Sequence, residues 1–201
     1  MFDADGVLFE SFESNIAYYN AIFARVGEAP LDPDEEIKSI SYAAADVFKL
    51  RAQQNAKMLE RIQGVARTID QRPFFHMLRP PFELRPFMLE LKRRYRLALA
   101  TNRSATVPAL VEHLQLADVF DAIASALDKV PPKPAPDILR LCMERARVKP
   151  SQAVYIGDSS IDREAAEAAG VAFIGVGLRV EHHHRIASLG ELTDALRKLP
   201  A

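Results

Sequence analysis

The chain has 201 residues, 49% hydrophobic and 26% charged, which suits one large globular domain or a domain carrying a modest insertion. Its 26 Lys and Arg against 27 Asp and Glu leave a formal charge of −1 with no basic run, which argues against nucleic acid as a partner. A single Cys142 excludes an internal disulfide framework and suits a cytoplasmic setting; no apolar stretch nears the roughly 18 residues of a bilayer span, and acidic residues at 3, 5 and 10 argue against a signal peptide.

In chain order, MFDADGVLFES reads as a strand end passing into a Gly-bearing loop. Only Met1 and Phe2 precede the first Asp, and so short a strand would lose ladder hydrogen bonds and core area. Phe12–Val26 has apolar residues near helical spacing and stops at Gly27. Pro30 and Pro33 bracket a turn, after which Asp32 or Asp34 can cap a helix. The Pro-free stretch from Ile37 to Ile69 reads as two helices with a break near 51–55. Pro73, Pro80, Pro81 and Pro86 then interrupt regular structure as a linker would. From Leu89 the pattern alternates. A helix closes at Arg94, and a strand follows at 95–100. Helix 107–116, strand 122–126 and helix 137–146 come next. Strand 153–156, helix 162–169 closed by Gly170, strand 171–176 and helix 191–199 complete the chain. Such alternation implies βαβ units around a parallel sheet, with 12–80 as an inserted helical block.

Ligands of an open parallel sheet collect at the carboxyl ends of its strands. The polar residues expected there are Asp3-Ala-Asp5-Gly6, Thr101-Asn102-Arg103-Ser104, Lys133 in a Pro-rich loop, and Gly157-Asp158-Ser159-Ser160-Ile161-Asp162. Each cluster alone has an ordinary reading as a turn, a helix cap or solvated surface. Together they would gather four carboxylates, a hydroxyl and an ammonium at one edge. Carboxylates so close must protonate or share a cation. An oxygen-only donor set favours Mg²⁺, and a hydroxyl, a lysine and loop amides beside it would receive a phosphoryl group. Asp3 could then attack phosphorus, with Asp5 as general acid and base.

The segments FDADGVLFES, LALATNRS, the lysine of KPAPDI and VYIGDSSIDREAAEAAG resemble the four motifs of the haloacid dehalogenase superfamily, nearest its phosphoglycolate-phosphatase-like and β-phosphoglucomutase-like branch. The resemblance implies an α/β fold, a three-layer Rossmann-like parallel-sheet core (1–11 and 81–201) with an inserted helical cap (12–80). It implies a Mg²⁺-dependent phosphatase acting on a small phosphomonoester through an aspartyl-phosphate. Carried over by position, Asp3 matches the nucleophile and Asp5 the acid/base. The Asp3 and Asp158 carboxylates and the Asp5 backbone carbonyl match the metal ligands, and Asp162 either assists the metal or orients its shell. Thr101 and Lys133 match the phosphate-binding hydroxyl and ammonium, and Gly6 and Asn102 match positions whose backbone amides face the phosphoryl oxygens. Glu10 stands where Asp is usual and Val7 where Thr is most frequent. The presence of Asp5 sets the chain apart from members that cleave C–halogen or C–P bonds, which lack this residue.

Other chemistry-bearing residues read as structural. His182, His183 and His184 are expected to be solvated loop, Cys142 core and His113 surface, while His76, Phe74 and Phe75 are expected to pack at a hinge. Tyr18, Tyr19 and Phe48 read as cap core, and Arg51, Arg61, Arg67 and Arg72 as solvated. The alternatives to a phosphatase are a sugar-phosphate mutase, a phospho-acceptor module, whose acidic pair would precede the phosphorylated Asp, and a catalytically impaired relative.

Overall fold

A computed structural model describes residues 1–41, 44–103 and 105–198. The chain divides into two compact units, Met1–Glu10 with Arg79–Ala201, and Ser11–Leu78.

The first unit is α/β. Parallel strands β1 (Ala98–Thr101) and β2 (Ala122–Ser125) pair in register, Ala98 opposite Ala122. Strands β3 (Val154–Gly157), β4 (Ala172–Val176) and β5 (Arg185–Ile186) form a second parallel set. Residues 1–3 join the two sets. The Phe2 amide donates to Ala98 O and its carbonyl accepts from the Ala100 amide, both at 2.8 Å; on the other side Asp3 N donates to Ile156 O at 2.9 Å. Short as it is, this rung is bonded on both edges and sits at the centre of the sheet, with the order β2–β1–(1–3)–β3–β4–β5.

Small residues set how closely helices approach. Ala98, Ala100, Ala122 and Ala124 line one face and receive Ile138, Leu139, Cys142 and Met143 of a helix at Asp137–Ala146, beside a second at Ser160–Ala169. Leu99, Ile156 and Ile174, the alternate residues, are equally buried, so both faces of the sheet are covered. The layers are those of a three-layer Rossmann-like core.

In the second unit, helices α1 (Phe12–Val26), α2 (Pro33–Ser41), α3 (Ala44–Ala52) and α4 (Ala56–Ala66) pack around Tyr19, Ile22, Phe23, Phe48 and Ile62. α1 ends at Gly27, φ +80°, a left-handed stop. Asp32 caps α2, accepting from Glu35 N while Glu35 Oε2 accepts from Asp32 N. In the first unit, α5 (Leu84–Lys92), α6 (Val107–His113), α7 (Asp137–Ala146), α8 (Ser160–Ala169) and α9 (Leu192–Lys198) complete the helices. No helix among the described residues is long and apolar enough to cross a membrane.

The structure corrects several expectations. The stretch from Ile37 to about Arg51 belongs to two helices, α2 and α3, on either side of undescribed residues. The Pro-rich linker holds a 3₁₀ turn, Arg72–Met77, and Pro86 lies inside the first turn of α5, where its missing N–H would be unbonded anyway. β1 starts at Ala98 because Tyr95 and Arg96 precede the buried stretch, and α6 stops at His113, with Gln115 in a left-handed turn at φ +56°. β5 was not expected. His182 is half-buried and packs edge-on against Phe173, with ring centroids 5.2 Å apart, so it is not simply solvated loop. Arg51 is also not solvated: its side chain is 10% exposed, paired with Glu35 at 2.5 Å and seated over the Phe23 ring. Ser104 and Leu199 lie outside the described residues.

Candidate active site

The carboxyl ends of the central rung, β1 and β3 meet at one edge, and there the loops place Asp3, Thr101 and Asp158. Asp3 is 8% exposed, Thr101 1%, Lys133 4% and Asp162 0%, so this charged group is buried. One oxygen from each of Asp3, Asp158 and Asp162 lies within 4.8 Å of the others. Gly6, at φ +71°, turns the chain beneath them, and a Cβ there would overlap the Asp158 carboxylate. Its amide donates to Phe9 O at 2.9 Å. The amide therefore closes a turn, and the Asp158 carboxylate leaves no room for a side chain at Gly6.

Lys133 is the hub. Its Nζ donates to Asp162 Oδ1 at 2.6 Å and to Tyr155 Oη at 2.7 Å, and stands 2.8 Å from Asp3 Oδ1. The last contact pairs the buried Asp3 carboxylate with the ammonium. Tyr155, fully buried, turns its one hydroxyl proton towards Ala100 O (2.9 Å) and Asp162 Oδ1 (3.1 Å). Asn102 grips the Lys133 backbone with its side-chain amide. Asp162 Oδ2 accepts from the Asp158 and Ser159 amides and the Ser159 hydroxyl. With both oxygens engaged by protein donors, Asp162 is built to orient its neighbours.

Three carboxylates face one ammonium here, a surplus of negative charge. Burial, then Asp3 and Asp162, push Asp158 up to about 7. Burial raises Asp3 to about 6 despite the pull of Lys133, with Asp162 and Asp5 adding to the rise. Burial works against the Lys133 ammonium, but Asp3 and Asp162 outweigh it and raise its pKa. Asp5 is balanced separately by Arg103, whose Nε and Nη2 each reach a carboxylate oxygen at 2.6 Å. The Arg103 amide donates to Thr101 Oγ1 at 3.2 Å. Glu10 pairs with Arg179 at 2.8 Å, and Arg179 reaches Asp158 at 3.4 Å. An oxygen-only donor set drawn from three buried carboxylates and a surplus negative charge fit a hard divalent cation.

The structure thus brings Asp3, Asp158, Asp162, Thr101, Asn102 and Lys133 together, with Asp5 and Gly6 on the adjoining turn. Tyr155 and Arg103 carry contacts that sequence reasoning did not assign. The polar tip of Tyr155, inside an apolar strand two residues before Gly157, was the available signal.

A family model described as haloacid dehalogenase-like hydrolase matches residues 1–176. The chain belongs to the haloacid dehalogenase-like hydrolases. It is similar to a phosphoglycolate phosphatase of Pseudomonas savastanoi pv. phaseolicola, 29% identical over 99% of this chain and 77% of that protein. A stretch of 77 residues, 38% of this chain, is 40% identical to the fructose-1-phosphate phosphatase YqaB of Escherichia coli and spans only 41% of its length. Among solved structures, a haloacid dehalogenase-superfamily hydrolase of Geobacter sulfurreducens superposes with a TM-score of 0.80 at 29% identity, covering 97% of this chain and 94% of that one. Within this hydrolase family, Cys142 is no nucleophile: buried, its thiol donates to Leu99 O at 3.4 Å and burial pushes it up to about 11.

Proposed function

We propose that this hydrolase is a cytoplasmic, Mg²⁺-dependent phosphatase that cleaves small phosphomonoesters through an aspartyl-phosphate on Asp3. The observation that carries the reading is the buried Asp3 carboxylate, held 2.8 Å from Lys133 Nζ and with an oxygen within 4.8 Å of one from Asp158. The names of its relatives, both phosphatases of small phosphate esters, support the same class.

Asp3, Asp158 and the Asp5 backbone carbonyl would hold Mg²⁺, with Asp162 positioning Lys133 and the loop amides. When bound, the ion supplies charge neutralisation between the carboxylates and the incoming phosphoryl oxygens. Thr101 and Lys133 bind those oxygens, and Lys133 also keeps Asp3 ionised for attack. The Asp3 oxygen forms a bond to phosphorus, the ester oxygen departs, and Asp5 gives it a proton. Water then attacks phosphorus, loses its proton to Asp5, and frees Asp3 with release of inorganic phosphate. The helical unit, Ser11–Leu78, is assigned the part of the family's cap.

The test is a panel of phosphomonoesters assayed with Mg²⁺ and with a chelator, for the native chain and for Asp3→Asn. Activity that survives the substitution would refute the nucleophile. Product analysis on a sugar 1-phosphate distinguishes a mutase, which would yield an isomeric sugar phosphate, from release of inorganic phosphate.

A further inference from the structure

Arg103 and Asp5 lie 98 residues apart in sequence, yet the guanidinium takes both carboxylate oxygens in a two-point grip, each bond 2.6 Å long. The pair is largely shielded, with side-chain exposures of 13% and 34%. Three further contacts immobilise the arginine. Its guanidinium carbon stands 5.5 Å from the centre of the buried Phe9 ring. Its amide donates to Thr101 Oγ1 at 3.2 Å, and its carbonyl accepts from Ala126 N at 3.0 Å. The arginine is therefore fixed at its backbone on both sides and along its side chain, and it fixes Asp5 in turn. A planar fork with two parallel N–H donors defines both the place and the plane of a carboxylate, which a lysine cannot do.

We propose that Arg103 is a positioning residue for Asp5, setting where the acid/base carboxylate stands relative to the leaving oxygen. The inference rests on the reading of Asp5 given above. It assigns Arg103 no direct part in holding the phosphoryl group. In the first half-reaction the bond from Asp3 oxygen to phosphorus forms, the ester oxygen–phosphorus bond breaks, and the Asp5 proton passes to the departing oxygen. On protonation one of the two guanidinium bonds opens: the Asp5 carbonyl oxygen stays on Arg103 and the hydroxyl turns to the ester. In the second half-reaction the water oxygen bonds to phosphorus, the Asp3–phosphorus bond breaks, and the water proton goes to Asp5. In both, Arg103 holds one oxygen so that the other stays aimed. Misplaced acid/base groups lose rate steeply because the geometry must be held to fractions of an ångström.

Leaving-group chemistry separates this role from a general one. Alkyl phosphates need their departing oxygen protonated; p-nitrophenolate leaves readily without a proton. Arg103→Ala, Arg103→Lys and Asp5→Asn are assayed with Mg²⁺ for single-turnover release of the leaving group, the half-reaction that precedes water attack, on phosphoglycolate and on p-nitrophenyl phosphate, with thermal unfolding to monitor the fold and calorimetry of inorganic phosphate binding. Since acid/base catalysis contributes about 10²–10⁴-fold, Asp5→Asn should lose that much on phosphoglycolate and far less on the aryl ester. Arg103→Ala should show the same split at smaller size, about tenfold to a hundredfold against about threefold, with the phosphate Kd within about twofold of native and Arg103→Lys recovering only part. Equal loss on both esters by Arg103→Ala, or a tenfold weaker phosphate Kd, overturns the inference while leaving Asp5 intact. Equal loss on both esters by Asp5→Asn, or no turnover of either ester by the native chain, overturns the underlying reading itself. If Arg103→Ala does not fold, Arg103→Lys is judged by the same split.

Discussion

The side chain of Asn102 holds the backbone of Lys133 at both of its peptide groups: Nδ2 donates to the Lys133 carbonyl at 3.0 Å and Oδ1 accepts from the Lys133 amide at 2.8 Å. The segment Pro131-Pro132-Lys133-Pro134 has one N–H among its four residues to anchor the loop, and Asn102 takes that one. The height of the ammonium above Asp3 therefore depends on a residue at the end of β1. Asn102→Ala leaves a donor and an acceptor unpaired, at a cost of about 1–3 kcal/mol, and lets Nζ drift from Asp3. A fall in kcat of roughly tenfold to a hundredfold is expected, by analogy with the loss of one preorganised donor. Asn102→Asp should be worse than Asn102→Ala, because it adds a charge to a site already overloaded with carboxylates. Urea unfolding and steady-state kinetics on the three proteins check both points.

Tyr155 gives Lys133 an acceptor at 2.7 Å in a place where water has no access. Tyr155→Phe keeps the ring contact with Phe173 but removes that acceptor and the donor to Ala100. A stability loss of about 1–2 kcal/mol is expected for a buried hydrogen-bonded hydroxyl, with a several-fold lower kcat as the ammonium loses its bearing. Equal activity and stability for Tyr155→Phe in thermal unfolding and kinetics would remove Tyr155 from the support of the site.

What was legible in the sequence follows from where the physical signal is local. α7 and α1 match their expected bounds because apolar spacing and, for α1, a Gly27 stop are local features. The four polar clusters were found because each follows a strand or opens a helix. Long-range partnerships left no local trace. Nothing near Asp5 or near Arg103 announces their pairing, and Tyr155 looks like one more apolar strand residue until Lys133 is placed beneath it. The phosphoryl-facing role of the Gly6 amide comes from the family resemblance alone, and in the structure the turn uses that N–H on Phe9. His182 was read from its polar neighbours, while its contact with Phe173 comes from β4.

Gly6 and Gly27 both have positive φ, +71° and +80°, but only one is crowded. A Cβ at Gly27 meets nothing within 4 Å, while at Gly6 it would overlap the Asp158 carboxylate. Gly27→Ala should therefore show only the left-handed backbone cost, about 1–2 kcal/mol, with kcat/KM unchanged. Gly6→Ala should carry that cost and also displace Asp158, weakening Mg²⁺ binding by about tenfold or more, as is common for disturbed metal sites. Calorimetric Mg²⁺ titration and unfolding curves for the two variants separate strain from displacement. Equal Mg²⁺ affinity in both would show that Asp158 is not a ligand.

The charge surplus makes stability depend on pH in a definite direction. In the metal-free protein Asp158 is raised to about 7, chiefly by burial and then by Asp3 and Asp162, from an ordinary 3.8. Between those values the folded chain keeps a proton that the unfolded chain has lost, so the folded state binds more protons and stability falls as pH rises through this interval. The penalty is absent below about 4 and complete above about 7, and Asp3, raised to about 6, contributes in the same sense over a narrower span. Mg²⁺ requires the ionised carboxylates, so its binding expels those protons and its stabilising effect must grow over the same range. With chelator present, Asp158→Asn should show a shallower decline of Tm between pH 4 and 7 than the native chain, since titrating groups away from this cluster contribute alike to both proteins. The rise in Tm on adding Mg²⁺ should be larger at pH 8 than at pH 5 for the native chain and nearly absent in Asp158→Asn. A Mg²⁺-induced rise of equal size at both pH values would mean that the ion does not bind at these carboxylates.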